Sequence, residues 1–206
     1  RAQINPHFLY NSLSLINWKA IEYEQDDISR ITLALSNYYR TSLNKGKNTL
    51  MLEQEVSNVR SYIEIQQVMH DNSFDVDIDI SSDILKAESL NLILQPLVEN
   101  ALLHGIDIKR QTGKIWISGN VSEGKLILIV KDNGRGMTKE QIRDLFNSHA
   151  KKTNGLSAVG IPNVKERLEL YYGTQGGMEY VSSGNGTEVT VFLPAIYDMP
   201  EEGRKN

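Results

Sequence analysis

One stretch of this sequence, LQPLVENALLHG at residues 94–105, carries residue types that can do chemistry at the edge of an apolar stripe. Glu99 and Asn100 are adjacent, and His104 follows about one helical turn later. A carboxylate can accept a proton or hold a water, and an amide oxygen is a good ligand for Mg²⁺. The apolar residues recur at helical spacing. Taken alone, the stretch favours the simpler alternative, in which the polar residues are the solvent face of an amphipathic helix.

A second group of such residues, DNGRGM at residues 132–137, follows directly after a predicted strand. Asp132 offers a carboxylate acceptor. Gly134 and Gly136 allow the backbone to turn tightly and to approach a flat ligand closely. Because Asp-Asn-Gly is also an ordinary turn, this pattern is a weak signal by itself.

A third group surrounds Gly160, at the start of a predicted helix. The unpaired N–H groups and the helix dipole at such a start favour a phosphate. Lys151 and Lys152, in the polar loop just before it, can reach that phosphate, although two lysines in a surface loop are also common. The three groups together predict a nucleoside triphosphate site.

Composition excludes several classes of protein. The chain has 206 residues, of which 40% are hydrophobic and 23% charged, as in an ordinary globular protein. A formal charge of −4 argues against sequence-independent binding of nucleic acid. There is no cysteine, which excludes disulfides and thiolate zinc sites. No apolar run approaches the ~18 residues that cross a bilayer. The chain begins at Arg1 without a methionine, and we expect it to be part of a longer protein.

The N-terminal part is predicted to be helical. Apolar residues at helical spacing predict helices over residues 2–24 and 28–43, joined by a short acidic turn into a hairpin. A lone hairpin cannot cover its own apolar stripes, so we expect a second copy to complete a four-helix bundle by two-fold symmetry. A third helix, over residues 51–70, is expected to bridge the hairpin to the next unit.

The next unit changes period and alternates strands with helices. The fold class is therefore α+β, a helical hairpin followed by an α/β sandwich with a mixed sheet. The expected elements are a strand at 74–80, a helix at 90–105, strands at 114–121 and 125–131, a helix at 138–146 capped by Thr138, a polar loop at 147–159, a helix at 161–172, strands at 178–183 and 187–193, and a tail from Pro194.

With these motifs in place, the chain resembles the sensor histidine kinases of the LytS and YesM type, within the superfamily that also holds DNA gyrase and the mismatch-repair ATPases. The likeness runs from residue 3 to residue 194, and its five motifs follow in the right order. QINPHFLYNSL at 3–13 is similar to the phosphoacceptor box, LQPLVENALLHG to the N box, DNGRGM and VGIPNVKERL to the two glycine boxes, and GNGTEVTVFLP to the closing Gly-x-Gly-Thr strand.

The resemblance implies ATP and Mg²⁺ as cofactors and assigns roles residue by residue. His7 is implied as the phosphoacceptor and Asn100 as the magnesium ligand. Glu99 is the candidate base, because Phe8 stands where the commoner histidine kinases carry an acid. The other implied nucleotide-binding residues are His104, Asp132, Gly134, Gly136, Lys151, Lys152, Gly160 and Thr187, with residues 147–159 as the ATP lid.

The surroundings of His7 permit two interpretations. Pro6 cannot donate to a helix, and we hypothesise that it loosens the helix and exposes His7. The alternative is a histidine whose polar atoms are satisfied within a bundle. A neutral imidazole, which its reference pKa of about 6.5 allows at cell pH, is required of a nucleophile.

Two departures from the family pattern affect these expectations. Ala158 and Pro162 flank Gly160 where the second glycine box usually opens Gly-x-Gly-Leu, so lid closure or affinity is expected to be weaker than usual. Met69 and His70 stand where the family carries an Arg-Tyr pair, and nothing in the sequence explains that change.

The resemblance implies the cytoplasmic kinase core of a membrane protein, anchored only through segments outside this chain. It is expected to form a homodimer, to phosphorylate His7 in cis or in trans, and to pass the phosphoryl group to an aspartate of a response regulator. Two alternatives stay open: an ATP-hydrolysing dimer clamp and a weakly catalytic ATP-binding signalling module. The expected divisions are 1–48 for dimerisation and phosphoacceptor, 49–72 for the bridge, 73–194 for ATP binding and 195–206 for a tail.

Overall fold

The computed structural model describes residues 5–42, 48–107, 112–147 and 160–197. Several sequence predictions fall outside these ranges. They concern the lid at 148–159, with Lys151, Lys152 and Ala158, and residues 198–206 of the tail.

The N-terminal region is an antiparallel hairpin of two helices, α1 (Pro6–Glu22) and α2 (Asp26–Ser42). Asn5 caps α1, since its side-chain oxygen accepts from the backbone N–H of His7 at 3.0 Å. Pro6 is therefore the first helical residue, where a missing N–H costs nothing. The hypothesis that Pro6 loosens the helix is wrong, because the helix begins at Pro6. His7, in the first turn, is exposed.

The register of the hairpin is marked by one polar contact between its helices. Ser29 Oγ donates to Asn17 Oδ1 at 2.8 Å. Tyr38 follows Ser29 by as many residues as Phe8 precedes Asn17. Since both helices rise by about 1.5 Å per residue, Tyr38 comes level with Phe8. His7, the neighbour of Phe8, thus lies at the same end of the hairpin as Tyr38.

The hairpin exposes a row of large apolar side chains. Phe8 is 72% exposed, Trp18 58% and Ile21 60%. Several large apolar side chains exposed on one hairpin mark a candidate interaction surface. Within the described ranges, no helix has both the length and the apolar character required to cross a membrane. The other exposed apolar side chains of the hairpin are Leu15, Ile16, Tyr23, Ile28 and Leu33.

The third helix, α3 (Leu52–Met69), packs along α2 and is bordered by a small antiparallel sheet. In that sheet β3 (Ala87–Leu90) pairs with β1 (Thr49–Met51) on one side and with β8 (Ile196–Tyr197) on the other. The sequence predicted neither β1 nor β3 and assigned β8 to the tail. Strands of two to four residues are too short for an alternating pattern to show.

The main sheet has five strands in the order β2-β4-β5-β7-β6 and is mixed, as the sequence predicted. β2 (Phe74–Ile80) runs parallel to β4 (Gly113–Ser122). All other neighbours in this sheet are antiparallel. The remaining three strands are β5 (Lys125–Asp132), β6 (Gly177–Ser183) and β7 (Gly186–Pro194).

Three further helices complete this part of the chain, α4 (Leu94–Asn100), α5 (Lys139–Asn147) and α6 (Gly160–Tyr172). The core contains alternate residues of the sheet together with apolar residues of α3, α4 and α6. The strands β4, β5 and β7 bury every second side chain along most of their length, because successive side chains point to opposite faces. The largest fully buried side chains are Leu52, Ile84, Ile93, Leu94, Leu97, Leu102, Ile115, Ile117, Leu126, Leu128, Ile161 and Leu168.

The start of α5 follows the prediction from its capping box. The backbone N–H of Thr138 donates to Gln141 Oε1 at 2.8 Å, and the N–H of Gln141 donates to Thr138 Oγ1 at 3.2 Å. These reciprocal bonds satisfy two donors at the helix start. Local sequence is sufficient to place this helix.

The start of α4 differs from the prediction, because the helix expected over 90–105 begins only at Leu94. Glu55, buried in α3, accepts from the backbone N–H of Leu92, of Ile93 at 3.0 Å and of Leu94 at 3.1 Å. These N–H groups would otherwise be unpaired at a buried helix end. The cap comes from a residue distant in sequence, so no local sequence pattern predicts it.

The end of this helical segment is also unusual. Ala101–Gly105 form a π-helical turn, in which the N–H of Ile106 donates to the carbonyl of Ala101 at 2.9 Å. Such turns are rare and often lie at functional sites. Here the turn directly follows Asn100 and brings Gly105 against Asp132.

Candidate functional site

Asp132 ends β5 with a buried carboxyl group, 3% exposed. Its Oδ1 accepts from the backbone N–H of Gly134 at 2.8 Å and of Thr187 at 3.3 Å. Both bonds go to the same oxygen, which leaves Oδ2 as the acceptor for a ligand. Burial raises the pKa of the Asp132 carboxyl, and the two backbone donors oppose that shift.

The glycines of the DNGRGM loop let it pack against two other backbone segments. A Cβ on Gly134 would collide with the carbonyl of Gly105, and one on Gly136 would collide with the carbonyl of Ser183. Gly136 also has a φ of +65°, which favours glycine. A Cβ on Gly105 would lie 2.7 Å from Asp132 Cγ. Sequence reasoning expected these glycines to face a ligand, and the structure shows that they also hold the loop in place.

Thr187 lies in the turn region where β7 begins. Its hydroxyl is 2.8 Å from Ser182 Oγ, which also accepts from the backbone N–H of Met137 at 2.7 Å. Ser182 therefore ties the Thr187 side chain to the DNGRGM loop. Sequence reasoning missed Ser182, which has no motif of its own.

Asn133 fixes the other side of the same loop. Its Oδ1 accepts from the N–H of Lys114 at 2.7 Å, and its Nδ2 donates to the carbonyl of Thr112 at 2.8 Å. Both amide ends are thus used to tie the loop to the start of β4. We assign Asn133 a structural role.

Asn100, at the end of α4, is 9% exposed and donates from Nδ2 to Tyr180 Oη at 3.4 Å. This bond leaves Oδ1 as the side-chain acceptor. Burial raises the pKa of Tyr180 to about 12, so its hydroxyl is protonated at neutral pH. Among the described residues, no three His, Cys, Asp or Glu side chains form a cluster that could hold a metal.

Glu99 and His104 lie on different sides of this helical segment. Glu99 is half-buried, and its Oε1 accepts from Gln95 Nε2 at 2.7 Å. His104 is exposed in the π-helical turn and lines a surface cavity with Asp107 and Arg135, beside the DNGRGM loop. The structure thus places His104, but not Glu99, on that cavity.

Gly160 is the first residue of α6 and packs against α4. A Cβ on Gly160 would lie 3.1 Å from Pro96 Cβ, so glycine permits a close approach of the two helices. Pro162 is accommodated in the first turn of α6. Gly160 follows directly on the range that the structure does not describe, so the predicted helix start there stays a prediction.

His7 lies on a different element from the nucleotide-site residues. It is exposed, and its Nδ1 is 3.3 Å from Asn11 Nδ2. Within the described part of the chain, no hydrogen bond joins His7 to Glu99 or to Asp132.

Sequence reasoning also missed Gln95, Tyr38, Tyr180 and Glu55. Gln95 precedes Glu99 by one helical turn, and this spacing is a signal that could have identified it. The other three act through contacts with residues far away in the sequence.

Two family models match the chain in succession. The model described as "Histidine kinase" matches residues 1–74. The model described as "Histidine kinase-, DNA gyrase B-, and HSP90-like ATPase" matches residues 86–196, which is more than half of the chain. The order agrees with the order of the phosphoacceptor box and the glycine boxes.

Curated relatives agree with these models. The chain is 30% identical over 195 residues to the sensor histidine kinase YesM of Bacillus subtilis, covering 94% of this chain and 32% of YesM. It is 27% identical over 203 residues to the sensor protein LytS of Staphylococcus saprophyticus, covering 98% of this chain and 34% of LytS. The chain thus spans about a third of the length of the relatives it matches.

Solved structures agree on the fold. The histidine kinase domain of the blue-light activated kinase EL346 from Erythrobacter litoralis aligns with a TM-score of 0.54 at 16% identity, over 92% of this chain and 96% of that domain. At this identity the likeness supports the fold alone.

Proposed function

Because this chain belongs to the histidine kinase-, DNA gyrase B- and HSP90-like ATPases and is similar in sequence to the sensor kinases YesM and LytS, we propose that it is the kinase core of a two-component sensor histidine kinase. It phosphorylates His7 from Mg-ATP. The phosphoryl group then passes to an aspartate of a response regulator.

One observation carries this proposal. The hairpin register puts His7 at the same end as Tyr38. Tyr38 Oη accepts from Gln95 of α4 at 2.6 Å. Glu99 and Asn100 belong to that same helix. The candidate phosphoacceptor therefore lies at the end of the hairpin that contacts the helix of the candidate reaction site, an arrangement that a nucleotide-driven clamp does not need.

We assign nucleotide binding to residues of α4, of the DNGRGM loop and of the start of α6. Asp132, through Oδ2, accepts from the adenine amino group, and Thr187 with the glycines of the DNGRGM loop closes that pocket. Asn100 suits Mg²⁺, because its Oδ1 is the free end of an amide oriented by Tyr180. Bound there, Mg²⁺ neutralises charge on the phosphates. The proposed phosphate contacts are His104, Lys151, Lys152 and the helix start at Gly160.

The reaction follows from these positions. A ring nitrogen of neutral His7 attacks the γ-phosphorus, the bond to the ADP oxygen breaks, and ADP leaves. The ring proton passes to the Glu99 carboxylate as general base. Positioning and electrostatics carry most of such a transfer.

The proposed partners follow from the surface and from the relatives. The exposed apolar row on the hairpin suits a second copy of this chain, giving a four-helix bundle with 1–48 as the dimerising region. Residues 49–72 bridge to an ATP-binding region at 73–194. We assign the chain to the cytoplasmic side of a membrane-anchored sensor protein, since its relatives are sensor kinases of about three times its length.

The test is incubation with γ-labelled Mg-ATP, comparing the wild type with His7→Gln. We expect protein-bound label that survives base, is lost in acid and is absent from the variant. Label retained by His7→Gln would show that another residue is the phosphoacceptor. ATP hydrolysis without any bound label would favour the clamp, and nucleotide binding with neither would favour a binding module.

A further inference from the structure

A cluster of polar side chains joins three helices at the junction between the hairpin and α4. Gln95 of α4, 7% exposed, stands at its centre. Its Nε2 donates to Tyr38 Oη of α2 at 2.6 Å and to Glu99 Oε1 at 2.7 Å. Its Oε1 accepts from Asn58 Nδ2 of α3 at 2.8 Å. Both amide protons and the amide oxygen of Gln95 are therefore engaged.

This arrangement restricts the Gln95 side chain to one orientation. Rotating the amide would break all three bonds. This rotation is unfavourable, because a buried polar atom without a hydrogen-bond partner destabilises the fold. The bond to Glu99 is to a carboxylate and is therefore the stronger kind. Gln95 thus holds one oxygen of the candidate base.

Tyr62 of α3 lies beside the cluster, with its ring centroid 6.1 Å from that of Tyr38. Burial raises the pKa of Tyr62, and the nearby Glu99 carboxylate raises it further. Glu99 is half-buried near Tyr62, where it accepts from Gln95.

We propose that Gln95 is a positioning residue through which the placement of α2 sets the orientation of the Glu99 carboxylate. This inference rests on the proposed function, in which Glu99 is the base. When α2 is docked, Tyr38 holds the Gln95 amide and Gln95 holds Glu99. When α2 moves, the amide turns and Glu99 is released. The hairpin that carries His7 thus controls the base that His7 requires.

A double-mutant cycle separates this role from a merely structural one. Gln95→Leu keeps the volume and removes the bonds, and Glu99→Gln keeps the acceptor oxygen and removes the base. We expect Gln95→Leu to lower the rate of His7 phosphorylation at saturating ATP by roughly tenfold or more, within the range of general-base effects. The affinity for ATP should stay within about threefold. In the Glu99→Gln background, Gln95→Leu should have little further effect.

Two results would overturn different statements. If Gln95→Leu lowers the rate by the same factor in both backgrounds, Gln95 does not act through Glu99, and the positioning role is wrong. If Glu99→Gln alone leaves the rate unchanged, the base assignment within the proposed function is wrong, whatever Gln95 does.

The hairpin contribution is tested by Tyr38→Phe, which removes one hydroxyl group. We expect a rate loss of a few-fold that disappears in the Gln95→Leu background. The matched control is Tyr39→Phe, on the adjacent residue of α2, which should leave the rate unchanged. A Tyr38→Phe effect that persists without Gln95 would contradict the coupling.

A spectroscopic test needs no enzymatic activity. In the ¹⁵N-labelled wild type, the side-chain amide protons of Gln95 should exchange much more slowly than those of Gln175, which is exposed. Tyr38→Phe should speed up the exchange of Gln95 and leave Gln175 unchanged. Equally fast exchange of both glutamines in the wild type would overturn the proposal.

Discussion

The two ends of the candidate site differ in what holds them. The end that we propose to bind adenine, here called the adenine end, is formed by Asp132, Gly134 and Thr187. It is backbone packed against backbone, with glycines where two segments meet. The hairpin end, formed by Tyr38, Gln95 and Glu99, is a chain of side-chain hydrogen bonds between helices. Backbone contacts allow no adjustment, whereas side-chain bonds break when a helix shifts by about an ångström. The adenine end therefore suits the binding of a rigid ligand, whereas the hairpin end suits the control of activity by helix movement.

The largest expected effect breaks the adenine end. Gly134→Ala places a methyl group into the carbonyl of Gly105, and backbone on both sides prevents relaxation. We expect a loss of about 4 kcal/mol or more in the free energy of unfolding, together with loss of ATP binding. Urea denaturation and nucleotide titration measure both.

The control for this variant is Gly184→Ala, because no atom lies within 4 Å of a Cβ built there. It should unfold and bind ATP like the wild type. If Gly134→Ala also behaved like the wild type, the contrast between a rigid and an adjustable end would be lost.

The next effect concerns α4, which carries Gln95 and Glu99 of the hairpin end and is followed by the turn that brings Gly105 against Asp132. Glu55→Ala removes the buried acceptor of three backbone N–H groups at the start of that helix. We expect the free energy of unfolding to fall by about 3 kcal/mol, since buried donors are left unpaired. Thermal unfolding measures this loss. Glu53→Ala changes an exposed residue of α3, the helix that also carries Glu55, and should lower the free energy of unfolding much less. Equal losses for the two variants would contradict a cap on α4 by Glu55.

A third prediction uses pH to examine the adenine end. Burial raises the Asp132 pKa above its ordinary value, so the folded protein binds that proton more tightly than the unfolded chain does. Between the ordinary and the raised pKa, stability must therefore fall as pH rises. The Asp132→Asn variant lacks this ionisable carboxyl group, so its stability has no such dependence on pH.

We therefore expect the stability of the wild type, relative to Asp132→Asn, to decrease from about pH 4 towards neutrality. The variant should also bind ATP about 10- to 100-fold more weakly, as expected when a hydrogen bond to a charged group is lost. Urea denaturation across this range is the measurement. A difference in stability that does not change with pH would contradict a raised pKa.

The smallest expected effect concerns Tyr180, whose hydroxyl contacts Asn100. Tyr180→Phe removes the hydroxyl that accepts from Asn100 Nδ2. We expect the Mg²⁺ concentration for half-maximal phosphorylation to rise by about two- to fivefold, because the Asn100 amide is less well oriented. Tyr171→Phe, on an exposed residue of α6, is the control. An unchanged Mg²⁺ requirement would show that Tyr180 does not orient Asn100.

Much of the fold was predictable because its signals are local. The capping box at Thr138 placed α5, and the alternation of residues 74–80 placed β2. The start of α4 was not predictable, because Glu55 caps it from another helix. The short strands β1 and β3 were missed for a similar reason, since their pairing is what defines them.

The candidate site also has features that were predictable from the sequence and features that were not. Residue types and spacing singled out Glu99, Asn100 and Asp132 as candidates, and the resemblance to the sensor histidine kinases added His7 and the role of each residue. Only the tertiary structure brought Tyr38 to Gln95 and Tyr180 to Asn100. A hydrogen bond depends on distance and direction in space, and sequence separation determines neither once helices from different parts of the chain meet. The sequence determined which groups can react, and the packing of α2, α3 and α4 decided what holds them.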